Sequence, residues 1–326
     1  MAQRTRVSFR PRAAPSVHGG LSSRPPCGAC ATSMTTSSPA PTAAVPAVFV
    51  LIWATGFVAA RFVAPHADAV TFVALRVVCV AAVLAALSVL LGARWPKGGR
   101  AWIDAGIAGI LMQGLYVIGV FWSVQHGLPA GIAALVGSLQ PLLTALLAGP
   151  VLGERVSRRR WGGIGLGFAG AALVLAPKVG VSDPSGIPPA ALAACLGAMV
   201  AMTAGTLWQK RRGGTTDLLT NAAVQFVGAS ALAIPVALLI GTGRFDATLP
   251  AWFGLAWSVF VNSVTGILLL LVLIRRGAVA GVASLLFLVP PVSALMAYGL
   301  FGEALVPVQL AGMALAAAGV ALASRG

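Results

Sequence analysis

Ten apolar runs of about 18 to 24 residues recur along this chain, and a run of that length crosses a hydrocarbon core of about 30 Å as an α-helix. They fall at roughly 45–63, 70–91, 103–123, 129–150, 160–177, 188–209, 218–241, 252–273, 279–300 and 305–323. Inside a bilayer no water satisfies backbone N–H and C=O groups, so each run has to close its own hydrogen bonds as a helix. Hydrophobic residues make up 58% of the 326 and charged residues 9%, a balance outside the soluble range. The expected fold class is an all-α membrane protein of ten transmembrane helices.

The formal charge of +15 could point to a nucleic-acid partner, so the placement of the charges decides. With the N-terminus inside, 18 of the 22 basic residues fall in the inner segments; Arg61, Lys178 and Arg244 fall outside, and Arg76 lies within the second span. That asymmetry is the positive-inside pattern of an inner-membrane protein with both termini cytoplasmic. It accounts for the charge as topology, and no nucleic-acid partner is expected.

The phrase "AGPVLGERV" at 148–156 returns as "AYGLFGEAL" at 297–305, 149 residues later. At the same offset Pro141 matches Pro290, Ala145 matches Ala294, Gly163 matches Gly312, Gly170 matches Gly319, Gly56 matches Gly205 and Gln113 pairs conservatively with Asn262. One unbroken offset over both halves reads as a duplication. The expected domains are a first repeat at 45–177 and a second at 188–323, five spans each. An odd number of crossings inserts the second copy upside down, and two inverted halves around a central site are a transporter architecture. Residues 1–44, rich in Ser, Thr, Pro, Ala and Arg, cannot bury a core and are expected to be a disordered cytoplasmic tail, with Met34 a candidate for the true start.

Several stretches carry a family resemblance: "FVLIWATGFVAARF", "VTFVALRVVCVAAVL", the Pro-to-Gly-Glu spacing in both halves, and Arg76 of "ALR". On these the chain, from about residue 46 onward, resembles the EamA-type transporters of the drug/metabolite transporter (DMT) superfamily. The resemblance implies ten helices, a central cavity lined by spans one, three, four, six, eight and nine, and frequently the export of amino acids or other small metabolites. The second copy departs from the first in having Pro290-Pro291 where the first has Pro141 alone.

A proline within a helix frees a carbonyl four residues earlier, and in lipid that carbonyl must face protein, water or ligand. Pro141, Pro290 and Pro291 are therefore candidate helix breaks near the site. Gln113 and Tyr116 in span three, and Asn262, Ser263 and Thr265 in span eight, place uncharged polar groups near the midplane, where they bond either to neighbouring helices or to a polar substrate. Gln140, Ser138, Thr144, Thr203, Thr206, Trp208 and Gln209 would extend the lining, with Trp53 and Thr55 added from span one. Arg76 needs a partner, because a guanidinium at that depth costs several kcal/mol on insertion scales. Either it pairs with Glu303 as an outer gate, or it faces the cavity and holds a substrate carboxylate. Glu154 and Glu303 end spans four and nine, and the five aspartates lie in loops or at span ends. With no acid at the midplane, facilitated transport or exchange is favoured over a buried proton relay, and coupling through either glutamate is the alternative.

Other signals carry less. "GLGFAG" at 165–170 follows no strand, so helix packing through Gly163 and Gly167 is the better reading than a dinucleotide site. Cys27 and Cys30 have no second pair to complete a metal site, and Cys79 and Cys195 lie in spans. No reactive triad or metal cluster is present in the pattern, so neither enzyme activity nor a cofactor is expected. The expectation is a carrier that exports small polar or amphipathic, amino-acid-like metabolites by alternating access. Its partners would be a small-molecule substrate and the lipid bilayer, and its state monomer or homodimer. A flippase for a lipid or lipid-linked sugar is the alternative.

Overall fold

The computed structural model describes residues 40–128, 132–133, 136–137, 139–153, 157–180, 188–212, 217–269, 286–301 and 306–324. Among the described residues the chain is helical almost throughout, and each of the ten expected spans contains helix. Spans one to five hold Ala40–Val63, Ala69–Leu90, Gly99–Gln125, Gln140–Leu152 and Arg158–Gly180. Spans six to ten hold Pro189–Arg212, Leu218–Ile240, Leu249–Leu269, Val289–Phe301 and Pro307–Ser324. Five of them, spans two, three, six, seven and eight, are long and apolar enough to cross a membrane by length and composition. Leu90, Leu238 and Leu239 lie exposed at helix ends, where only lipid makes such side chains comfortable.

Helix boundaries repeat with the sequence. Ala40–Val63 and Pro189–Arg212 each run 24 residues, and Gln140–Leu152 and Val289–Phe301 each run 13, all at the 149-residue offset. The causes repeat as well. Asp68 opens span two by accepting from the Thr71 N–H at 3.0 Å and the Thr71 hydroxyl at 2.8 Å, and Asp217 opens span seven by accepting from the Leu219 N–H at 2.9 Å. Each such cap satisfies an otherwise orphaned donor and stabilises its helix by about 1 kcal/mol. Pro141 and Pro290 stand second in their helices, in the first turn where the missing N–H costs nothing. Just ahead of the second, Leu286–Leu288 form a 3₁₀ turn, and Pro291 is buried. Gly153 explains half of the repeated Gly-Glu phrase: with φ of 71° it ends span four in the left-handed conformation, its N–H bonded to the Gly149 carbonyl at 2.9 Å. Glu154, Gly302 and Glu303 lie outside the described residues, as do residues 1–39.

Spans three and eight share an irregularity that periodicity does not foretell. Ile110–Leu115 and Trp257–Thr265 are wound as π-helix at equivalent places in the two repeats. The wider turn shifts hydrogen bonds to the fifth residue back, and such bulges concentrate at functional sites.

Packing rests on small residues at the tightest crossings. Spans five and ten meet through Gly163, Gly167, Gly170, Gly312 and Gly319; a Cβ on Gly170 would strike the backbone of Ala316 and Gly312. The small-residue face is therefore consumed inside the chain. Gln309 adds a buried hydrogen bond from Nε2 to the Val174 carbonyl at 3.0 Å. Spans two and seven form the central core with Phe72, Leu84 and Phe226, and Phe72 stacks on Phe121 of span three at 5.6 Å.

Candidate functional site

The two π segments face each other across a cavity of about 180 Å³. Gln113 and Tyr116 wall it from span three, Asn262 and Ser263 from span eight, and Trp53 and Gly56 from span one. Arg76 of span two, Gln209 of span six, and Asn221 and Gln225 of span seven add to its polar surface. The remaining walls include Met112, Val117, Phe121, Met202, Phe226 and Ile267. The site thus presents neutral amides, one guanidinium and an apolar bed.

Local geometry explains several of these placements. A Cβ on Gly56 would lie 2.7 Å from Asn262 Nδ2, so the absence of a side chain there is what seats the amide. Trp257 Nε1 donates to the Thr55 hydroxyl at 3.1 Å and ties span eight to span one. Arg76 is 8% exposed. Its Nε and Nη2 both donate to Ser263 Oγ, at 3.3 and 3.0 Å, and its guanidinium carbon lies 6.0 Å from the Phe121 ring centre. Ser263 Oγ in turn donates to the Ser258 carbonyl at 2.9 Å, a bond that the π winding brings into reach.

The two ends of the cavity differ. Towards the end that carries the loop arginines lies a second cavity of about 470 Å³, walled by Lys97, Arg100, Arg211, Arg212 and Asp104. Gln209, Asn221 and Gln225 wall both cavities. At the opposite end two loops are clasped together. The Asp68 N–H donates to the Arg244 carbonyl at 2.9 Å and the Asp246 N–H to the His66 carbonyl at 2.8 Å, with a bridge between Ala67 and Phe245. Arg244 Nη2 reaches the Pro65 carbonyl at 2.6 Å and pairs with Asp246 at 2.7 Å. That hydrogen bond holds the Asp246 carboxyl below its ordinary range and raises Arg244. Gln125, at the end of span three, grips the same loop by accepting from the Ala69 N–H at 2.8 Å and donating to the Ala67 carbonyl at 3.1 Å.

Of the residues expected from sequence, Trp53, Gln113, Tyr116, Gln209, Asn262, Ser263 and Arg76 come together in the central cavity. Gln140, Trp208 and Thr265 are not among its walls. Gln140 Nε2 reaches the Thr206 hydroxyl at 3.4 Å, and Thr265 donates to the Phe260 carbonyl at 2.9 Å within its own helix. Trp208 Nε1 donates to the Asp104 carbonyl at 3.1 Å, while Arg212 lies 5.5 Å from its ring. The expected Arg76–Glu303 contact falls outside the described residues. Span seven was not among the expected cavity helices, although Asn221 and Gln225, four residues apart on an apolar helix, mark one polar face in the sequence.

Paired helix bounds, paired π segments and a polar cavity between them define a helical membrane transporter built from two inverted repeats. The chain belongs to the EamA-like transporter family, whose pattern matches twice, over residues 43–176 and 189–325. It is 27% identical over 283 residues to a probable terminal-alkyne amino-acid exporter of Streptantibioticus cattleyicolor, covering 85% of this chain and 91% of that protein. To the uncharacterized transporter YvbV of Bacillus subtilis it is 30% identical over 223 residues, 65% of this chain and 70% of the relative. A solved structure titled only as a crystal structure of a protein has the same fold, with a TM-score of 0.67 at 20% identity over 88% of this chain and 97% of that one. The protein is a transporter and not an enzyme.

Proposed function

We propose that this chain exports small polar or amphipathic, amino-acid-like metabolites across the cell inner membrane by alternating access, with Gln113, Tyr116, Trp53 and Asn262 contacting the substrate. The observation that carries the reading is the pair of repeat-related π segments aiming Gln113 and Asn262 into one cavity. With the arginine-rich end cytoplasmic by the positive-inside rule, the shared walls Gln209, Asn221 and Gln225 connect the cavity to the cytoplasmic side. The clasped loops then close the outer side. That is the arrangement of a carrier able to load from the cytoplasm. The name of the Streptantibioticus relative, an amino-acid exporter, points to the same substrate range.

Counterflow in proteoliposomes, with labelled amino acids and small organic metabolites, tests the proposal. The wild type should exchange at least one of them, and the folded Gln113→Ala/Asn262→Ala double variant should lose about 10-fold or more in turnover, as expected when two hydrogen bonds of about 1 kcal/mol each are removed. Undiminished exchange by the double variant would remove the π segments from the site.

A further inference from the structure

Arg76 is the single charged side chain among the described walls of the central cavity. Its five N–H donors meet one protein acceptor, Ser263 Oγ, which takes both described side-chain bonds of the guanidinium. Among the described residues no carboxylate lies within ion-pair distance of it. A buried guanidinium that no described carboxylate neutralises is costly in an apolar medium, and an anion arriving in the cavity recovers that cost. The surroundings narrow the anion. One fixed cation balances one negative charge, and the planar guanidinium matches a carboxylate in two parallel hydrogen bonds. The remaining polar walls, among them Gln113, Gln209, Asn221, Gln225 and Asn262, are neutral, and Met112 and Phe226 offer an apolar bed for the rest of the molecule. Lys97, Arg100, Arg211 and Arg212 against a lone Asp104 make the adjoining cavity cationic, which raises the local concentration of anions at its mouth. An α-ammonium, by contrast, finds no carboxylate among the described cavity walls.

We infer that the carrier recognises its cargo by a single carboxylate held on Arg76, and that monocarboxylates with an apolar body bind whether or not they carry an amino group. The inference rests on the carrier reading above and names the chemical class that the same cavity takes.

Thermal unfolding of the full chain in detergent, in the presence of matched compounds, tests it. The panel pairs leucine, 4-methylpentanoate and 3-phenylpropanoate with leucinamide, 4-methylpentanamide and 3-phenylpropanamide. The acids should raise the midpoint and their amides should not, and 4-methylpentanoate should do at least as well as leucine. Arg76→Gln should abolish the shift, Arg76→Lys should keep part of it, and a midpoint without ligand close to wild type reports that either variant is folded. The acid-against-amide contrast on the wild type stands even where a variant fails to fold. Equal shifts from acids and amides, or no shift from any acid, overturn the inference. Counterflow of the amides by the wild type would then leave the carrier reading intact, whereas no counterflow of any compound would remove that reading too.

Discussion

Span seven crosses span three, and span two crosses span eight, at positions that the 149-residue repeat makes equivalent; the two crossings are nevertheless built in different ways. At the first, a Cβ on Gly109 would overlap the Gln225 backbone carbonyl, and Gly228 lies against the backbone of Gly106. At the second, Ser258, Ser263 and Arg76 stand where the first crossing has Gly109, Gly114 and Gln225. There a guanidinium-hydroxyl contact replaces bare backbone. A backbone-on-backbone crossing has one geometry that any side chain spoils. The polar crossing brings Arg76 to the wall of the cavity. Both crossings wall the cavity, through Met112, Gln113 and Gln225 on one side and Arg76, Asn262 and Ser263 on the other, but the charged wall comes from the polar crossing alone among the described residues.

The sharpest way to break this contrast is to add volume at one crossing and remove a polar atom at the other. Gly109→Leu must displace main chain, and overpacking of this kind costs about 1–3 kcal/mol or more, so the variant should unfold many degrees below wild type in detergent or fail to yield folded protein. Ser258→Ala at the equivalent place deletes a buried hydroxyl that has no hydrogen-bond partner among the described residues. Losing an unsatisfied hydroxyl is close to neutral or stabilising, and its unfolding midpoint should match or exceed wild type. Comparable losses from both substitutions would show that the crossings bear the same load.

A smaller effect is expected inside the cavity. Gly56→Ala places a methyl 2.7 Å from Asn262 Nδ2, the far end of a side chain that can turn away. Folding should survive, and the displaced amide should weaken substrate binding by about 1 kcal/mol, roughly a 5-fold rise in KM for counterflow. The repeat mate Gly205 abuts Met112 Cγ and Leu111 Cβ instead, atoms next to the main chain that cannot turn away, so Gly205→Ala should lower the unfolding midpoint and raise KM less. A larger rise for Gly205→Ala would transfer the recognition role to the other half of the repeat.

Most of the fold is legible in the sequence because a bilayer leaves few choices. An apolar run of about 20 residues must be a helix, and the duplicated Gly-Glu phrase with its odd span count dictates the inversion. The caps were equally readable, since Asp68 and Asp217 stand at the same offset, each before an apolar run. Cavity walls are legible where polarity alone suffices: Gln113 and Asn262 are amides in the middle of apolar helices, and both reach the cavity. Trp208 and Thr265 go elsewhere because the rotation of a helix about its axis is set by neighbours, and a span hydrophobic on every side has no moment to reveal it. The π segments leave no mark in composition, for their extra residue is accommodated by tertiary packing. Asn221 and Gln225 stand near the start of span seven, where polar residues are ordinary, so only their four-residue spacing and the equivalence of Gln225 with Arg76 single them out.

The two ends of the bundle extend the comparison to its weakest test. At the basic end, where residues 213–216 lie outside the described ones, the Thr220 hydroxyl in the first turn of span seven donates to the Arg94 carbonyl at 2.9 Å. The other end has the clasp of Pro65, His66, Asp68, Arg244 and Asp246. Because hydrogen bonding to Arg244 lowers the Asp246 pKa, its contribution is present above the unfolded carboxylate value of about 3.9 and is lost as pH falls through the lower folded value. The clasp is therefore intact at neutral pH and loosens only in strong acid. The pair is exposed, so its effect on global stability is small. What should change is local: in Asp246→Asn at pH 7, the amides of Asp68 and Asp246 should exchange with deuterium faster than in wild type, while the Thr220 end is unaffected. Exchange at Asp68 unchanged by the substitution would mean that the backbone bonds hold the loops by themselves, and that the ion pair only decorates a closure already made.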